Sequence, residues 1–482
     1  MGKHQSFSIK ELKPISTSFL LLSNPHIRQQ PPPYENMLAN ITPDETYQLT
    51  ARDLLEKVIS HFEDEKLAER ILSARDTAEP VAGDTFYSMY SYYPMLKQSD
   101  KIKNEILRGI RDLFEQWMQT NEYRTLRSVT RLNREASKVF AMRFARTFLQ
   151  ELAKKIPPEQ WPKMGGGSGG SGQGSGSGQS GQQRQKQTQQ QIEEAVNQAF
   201  NKAREEAKKA ADNYSKLAGG LGGGSKFDKD PGELAFIDEE PGIDRVEFEE
   251  MIKILGSLKK AMPIMFSRNK KPSIMGDVEG YAITRRPEKA IPRELALPDE
   301  LFYTKLARGG FLAREKRLPE RGVMIVLLDK SGSMSGQKMG WAKAVALALA
   351  IKAKREGLHY MLIPFDTETY DSIPLKNTQH LKSILKIKAG GGTDITDAIA
   401  TAVELAERKH YNKANIVVIT DGIDDVETKE LLPKLKRINA SLKAIYIQGS
   451  NKQLEELAHA TRGQLLTVQP DSQDALRVVK AA

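Results

Sequence analysis

Val323-Met324-Ile325-Val326-Leu327-Leu328-Asp329-Lys330-Ser331-Gly332-Ser333-Met334-Ser335-Gly336 decides the fold. Six apolar residues without a polar interruption read as a strand buried on both faces, as in a parallel sheet. Small residues and glycine then turn the chain, and Gln337 to Lys354 has apolar positions at helical spacing. The carboxylate of Asp329 and the hydroxyls of Ser331 and Ser333 thus stand at the C-terminal end of a buried strand. That is an all-oxygen half-shell of the kind hard divalent cations favour.

Downstream the pattern repeats. Apolar runs at Tyr360–Phe365, Ile416–Thr420, Leu442–Ile447 and Leu465–Val468 alternate with helical stretches at 337–355, 394–408, 427–437, 451–461 and 472–480. Such alternation predicts an α/β domain, a doubly wound parallel sheet with helices on both faces. Ligands of such sheets bind beyond the carboxyl ends of the strands. Two more loops fall at that edge: Gly390-Gly391-Gly392-Thr393-Asp394 before a helix, and Thr420-Asp421-Gly422 after a strand. Asp329, Ser331, Ser333, Thr393 and Asp421 are therefore expected to converge as a site for Mg²⁺ or Mn²⁺. Mg²⁺ keeps several waters, and an open position would accept a carboxylate from another molecule.

Asp-x-Ser-x-Ser, Gly-Gly-Thr-Asp and Thr-Asp-Gly, in this order, resemble the three loops of the metal-ion-dependent adhesion site of von Willebrand factor A (VWA) domains. The resemblance covers roughly residues 321–482 and implies a Rossmann-like fold. It also implies that these five residues hold the metal and that a partner's Asp or Glu completes the shell. Together with the helical N-terminal half, the layout is similar to the ViaA/CoxE-like proteins. That resemblance implies a protein partner, a MoxR-type AAA+ ATPase, and its client.

The remainder divides by composition. Residues 1–163 predict an all-α domain, with Leu54, Val58, Ile59 and Phe62 on one stripe, Ile106, Ile110, Leu113, Phe114 and Trp117 on another, and Val139, Phe140, Phe144 and Phe148 on a third. Their aromatics are expected in the core. Residues 164–183 form a Gly/Ser/Gln linker that cannot bury apolar area and should be disordered. Residues 184–218 predict one long polar helix with a thin stripe of Ile192, Val196, Phe200 and Ala203, either a coiled partner-binding arm or a spacer. Residues 219–320 read as a connector docked on the C-terminal domain, with a helix from Val246 to Met265 and strand-like pieces at Tyr281–Thr284 and Leu301–Tyr303. The C-terminal domain takes 321–482.

Composition narrows the function. The 482-residue chain has no cysteine, which removes disulfides, zinc thiolates, iron–sulfur clusters and thiol catalysis. None of the seven histidines belongs to an H-E-x-x-H pair. No G-x-S-x-G nucleophile elbow stands in a strand–turn–helix setting, and no G-x-x-x-x-G-K-[ST] loop occurs. The expectation is a non-enzymatic adaptor or cochaperone. The N-terminus lacks a basic-then-apolar signal layout and no run is long enough to span a membrane, which predicts a cytoplasmic protein. A formal net charge of +10 leaves a nucleic-acid-binding VWA protein as the alternative. The excess is diffuse, roughly +3, +2 and +5 over residues 1–163, 164–320 and 321–482, without a basic arm. Asp394 and Asp397 are explained by helix N-terminal charge; Asp424 and Asp425 read as solvated loop charge, with tuning of the metal loop from behind its ligands as the alternative.

Overall fold

The computed structural model describes residues 35–165, 178–220, 230–265, 278–316 and 322–481, apart from Thr42, Arg285, Glu288, Lys289, Asn412 and Ile423. Most of the Gly/Ser/Gln linker lies outside the described residues.

The N-terminal half is helical: α1 (Glu45–Ile59), α2 (Glu65–Ser73), α3 (Arg75–Tyr90), α4 (Glu105–Met118), α5 (Asn121–Thr130) and α6 (Arg134–Lys155). Asp44, Asp64, Asn104, Thr120 and Asn133 each accept a hydrogen bond from a backbone N–H in the first turn of the helix that follows, which satisfies donors that the helix leaves free. Phe114, Trp117, Phe140, Phe144 and Phe148 are buried, as their spacing predicts, and Phe114 and Phe144 both meet Phe200 edge-on. Phe200 belongs to α7 (Gly178–Gly220), the long polar helix. It starts inside the segment expected to be linker.

Helix α7 is neither a free arm nor a spacer. Its 43 residues run about 65 Å. Over the central turns Ile192, Ala195, Val196, Ala199, Phe200, Ala203, Ala207, Ala210 and Ala211 are buried against the N-terminal helices, mainly α6. The alanines let the two helices approach closely, so little apolar bulk is needed to join them.

The connector supplies α8 (Arg245–Met265) and a two-stranded antiparallel sheet of β1 (Val278–Thr284) and β2 (Phe311–Lys316), with α9 (Asp299–Arg308) between them. Leu301-Phe302-Tyr303, expected as a strand, is part of α9. Pro298 stands just before the helix and Asp299 and Glu300 in its first turn, a helix start that three apolar residues by themselves do not reveal.

The C-terminal sheet contains β3 (Val323–Asp329), β4 (His359–Phe365), β5 (Ala414–Thr420), β6 (Ser441–Ile447) and β7 (Leu465–Val468), all parallel, in the order β4-β3-β5-β6-β7. Along β3, Val323, Ile325 and Leu327 face one core and Met324, Val326 and Leu328 the other, the two-residue period of a strand covered on both sides. Helices α12 (Ile395–Arg408), α13 (Thr428–Arg437) and α14 (Lys452–Ala460) cover the first face. Helices α10 (Gln337–Glu356) and α15 (Ser472–Ala481) cover the second. A short helix, α11 (Thr378–Leu385), lies between β4 and α12.

The second core continues from the sheet through α10 and α8 into the N-terminal helices. At the crossing of α8 and α10 a side chain on Gly340 would put its Cβ 2.5 Å from the Glu247 carbonyl, so the backbones meet where only glycine fits. One turn on, the buried Lys343 ammonium donates to Glu247 Oε2 at 2.6 Å and to the carbonyls of Leu385 and Ile387 at 3.0 and 2.7 Å. Burial pushes this lysine down and Glu247 pushes it back up. Lys343→Ala, which strands Glu247 in the core, is expected to cost about 3–5 kcal/mol in urea unfolding, and Lys343→Met with Glu247→Leu to recover most of it.

In α3 the fully buried Asp84 accepts hydrogen bonds from Met37 N (2.7 Å) and Tyr47 Oη (2.9 Å). Burial nevertheless pushes its carboxyl up to about 7. The folded state therefore favours the protonated acid, a contribution complete below about pH 4 and lost as pH rises through about 7. Relative to Asp84→Asn, wild type should lose roughly 2–3 kcal/mol of stability between pH 5 and pH 8, read from denaturant midpoints at each pH.

Candidate metal centre

The chain leaves β3 toward β4 on one side and leaves β5 toward β6 on the other. The crevice beyond the carboxyl ends of β3 and β5 is the switch point at which α/β sheets bind ligands. Asp329 ends β3 and Asp421 follows β5, so both carboxylates open on it.

Asp329 is completely buried. Its Oδ1 accepts from Ser331 N at 2.8 Å and its Oδ2 from the Thr420 hydroxyl. Burial raises its carboxyl above the ordinary range; these hydrogen bonds oppose the shift and the charge of Asp421 adds to it. Ser331 Oγ and Ser333 Oγ lie 3.1 Å apart, and Ser333 Oγ donates to Asp421 Oδ1 at 2.7 Å. Asp421 Oδ2 accepts from Lys338 Nζ at 2.6 Å. Thr393 completes the group: a Cβ on Gly422 would lie 2.7 Å from its Oγ1, so this hydroxyl rests directly on the loop after Asp421. All five residues singled out from the sequence meet here.

Neighbouring loops hold the cluster in place. Gly332 N donates to Gly391 O at 3.1 Å and Gly390 N to Lys330 O at 2.6 Å, tying the glycine run to the β3 loop. Gly391 has φ +90°, and a Cβ there would fall 2.9 Å from Asp366 Oδ2, so conformation and space both require glycine. Asp394 caps α12 by accepting from Asp397 N at 2.8 Å. Asp424, read as solvated loop charge, instead accepts from Ile395 N at 2.7 Å and so fixes the start of the helix that follows Thr393. Burial raises the Tyr446 phenol, and the charges of Asp421, Asp329 and Asp424 raise it further.

Three partners escaped the sequence reading. Thr420 supplies the donor to Asp329, and Lys338 holds Asp421. Asp366, just past β4, accepts from the Lys330 ammonium and from Tyr370 Oη at 3.0 Å. Its place at the carboxyl end of a parallel strand was the available signal.

The donor set fits a hard divalent ion: two buried or nearly buried carboxylates and three hydroxyls, without a soft ligand. Among the described residues no group of three or more His, Cys, Asp or Glu side chains is placed to hold a metal. An ion at this cluster would depend on its hydroxyls.

Residues 306–465 match the family model described as a VWA domain containing CoxE-like protein. This part of the chain is a CoxE-like VWA domain. An uncharacterized protein of Methanocaldococcus jannaschii is 28% identical over 261 residues, 49% of this chain and 59% of its own length. The regulatory protein ViaA of Proteus mirabilis is 29% identical over 120 residues, 24% of this chain and 25% of its own length. The chain thus spans less than two thirds of these relatives. Among solved structures, the SpRpn10 VWA domain is similar at 16% identity with a TM-score of 0.28, over 33% of this chain and 93% of that one. No helix among the described residues is long and apolar enough to cross a membrane.

Removing the hydroxyl in Thr420→Val leaves a buried carboxylate oxygen of Asp329 without its donor. Unfolding in EDTA should show a loss of about 1–3 kcal/mol for this variant and little for Thr420→Ser.

Proposed function

We propose that this chain is a non-enzymatic adaptor or cochaperone whose VWA domain grips an acidic side chain of a partner protein through a bound Mg²⁺ or Mn²⁺. The observation that carries the reading is the meeting of Asp329, Ser331, Ser333, Thr393 and Asp421 at the switch point of the sheet. Those five residues would hold the ion. When bound, the metal supplies a positive centre with a position open to an external carboxylate.

The partner class follows from the resemblance to ViaA/CoxE-like proteins: a MoxR-type AAA+ ATPase, with its client engaged elsewhere on the chain, in the cytoplasm. One metal bond is directional but small, so the surrounding surface would set partner choice. Shared packing through α8 and α10 supports a single body that presents both surfaces, rather than two modules swinging on a tether.

Asp329→Ala is expected to abolish capture of an AAA+ partner from native lysate in Mg²⁺, as EDTA does for wild type, with far-ultraviolet circular dichroism unchanged. Capture that ignores both chelator and mutation would sink the reading. Binding that instead weakens steeply with salt, and is retained in EDTA, would favour nucleic acid.

A further inference from the structure

Lys338 is the second residue of α10, the helix that follows the serine loop. Its ammonium reaches Asp421 Oδ2 at 2.6 Å, while the other carboxylate oxygen takes the Ser333 hydroxyl at 2.7 Å. The Asp421 side chain is 2% exposed and that of Lys338 28% exposed. A charge-assisted hydrogen bond to a carboxylate with so little contact with water is strong. The nearby Lys330 is committed elsewhere: it pairs with Asp366 and lies 4.2 Å from the centre of the Tyr370 ring.

We infer that Lys338 is a built-in competitor for the divalent ion: it pairs with Asp421, lowers metal affinity, and releases the carboxylate oxygen when an ion takes it. This rests on the metal reading above. Two carboxylates and one ammonium give the cluster a net charge of minus one. A divalent ion brings it to plus one, and an acidic side chain from a partner brings it to zero. Without Lys338 the loaded cluster would already be neutral and would attract an external carboxylate less. The lysine therefore weakens metal binding alone and favours metal and acidic partner together. Whichever oxygen of Asp421 the ion takes, the ammonium is close enough for like-charge repulsion to act in this poorly hydrated crevice. Its partly exposed, flexible stem lets it release the Asp421 oxygen while its charge stays at the rim of the crevice.

The test is calorimetric titration of the full chain with MnCl₂ in metal-free buffer, comparing wild type with Lys338→Gln and Lys338→Met. Both variants are expected to bind Mn²⁺ about tenfold more tightly or better. Thermal unfolding gives a second readout that a merely structural salt bridge would not move: the shift in Tm from EDTA to saturating Mn²⁺ should be larger in the variants. Equal or weaker Mn²⁺ binding with an equal Tm shift would overturn the role of Lys338 and leave the metal site standing. No heat and no Tm shift in any of the three proteins would overturn the metal reading and this inference with it.

Discussion

The carboxylate of Asp329, buried at the end of β3, is the constraint around which the crevice at the carboxyl edge of the sheet is organised. A carboxylate without water must be satisfied by donors or neutralised. Here the donors come from both neighbouring pieces of chain: Ser331 N just after the strand and the Thr420 hydroxyl at the end of the adjacent one. Each requirement fixes a loop. The β3 loop must fold back so that its amide faces Asp329, and β5 must hold a register that sets Ile419 beside Leu328, which places Thr420 opposite Asp329. Once these are fixed, Ser333 and Asp421 are brought within a hydrogen bond of each other. The crevice is thus assembled by satisfying one buried charge.

Helix α10 carries that geometry outward. Its first turn holds Lys338 on Asp421 and sets Gly340 against the Glu247 carbonyl of α8; one turn further Lys343 pairs with the Glu247 carboxylate. Helix α8 packs in turn on α7, and α7 on the N-terminal helices. The candidate metal loop and the helical half are therefore connected through packed backbone and one buried ion pair. A change at Asp421 that moved the start of α10 would act on a contact too close for a Cβ. Tightly packed contacts transmit displacement because they do not absorb it.

Much of this was legible in the sequence, for physical reasons. Strands buried on both faces appear as unbroken apolar runs, so all five C-terminal strands were visible within a residue or two. The candidate loops were visible because Asp-x-Ser-x-Ser and Thr-Asp-Gly stand where apolar strand runs end, and Gly-Gly-Thr-Asp where a helix begins. What remained hidden depended on context. Alanine contributes little to hydrophobic patterning, so the buried face of α7 looked polar and the helix looked solvent-borne. Leu301-Phe302-Tyr303 is too short to show a period, and Phe302 is decided by Phe311, 4.8 Å away between ring centres. Thr420, Lys338 and Asp366 are ordinary polar residues until the fold places them at one edge.

Asp424 shows how the same principle separates carboxylates fixed to the backbone from those held by side chains. Asp424 and Asp421 sit three positions apart on one loop, yet their partners differ in kind. The Asp424 carboxylate accepts a backbone amide at the start of α12, and the Asp424 carbonyl accepts from Asn451 Nδ2 at 2.7 Å; these bonds hold loops to helices. Among the described residues, the Asp421 carboxylate accepts from side chains that can turn away, Ser333 Oγ and Lys338 Nζ. A carboxylate whose donors are rotatable can exchange them for an ion without unfolding a loop, whereas one bonded to a backbone amide keeps that bond and has only its remaining lone pairs to offer. By that criterion Asp421 is the exchangeable member of the crevice. Asp329, held by an amide and a buried hydroxyl, is its fixed wall.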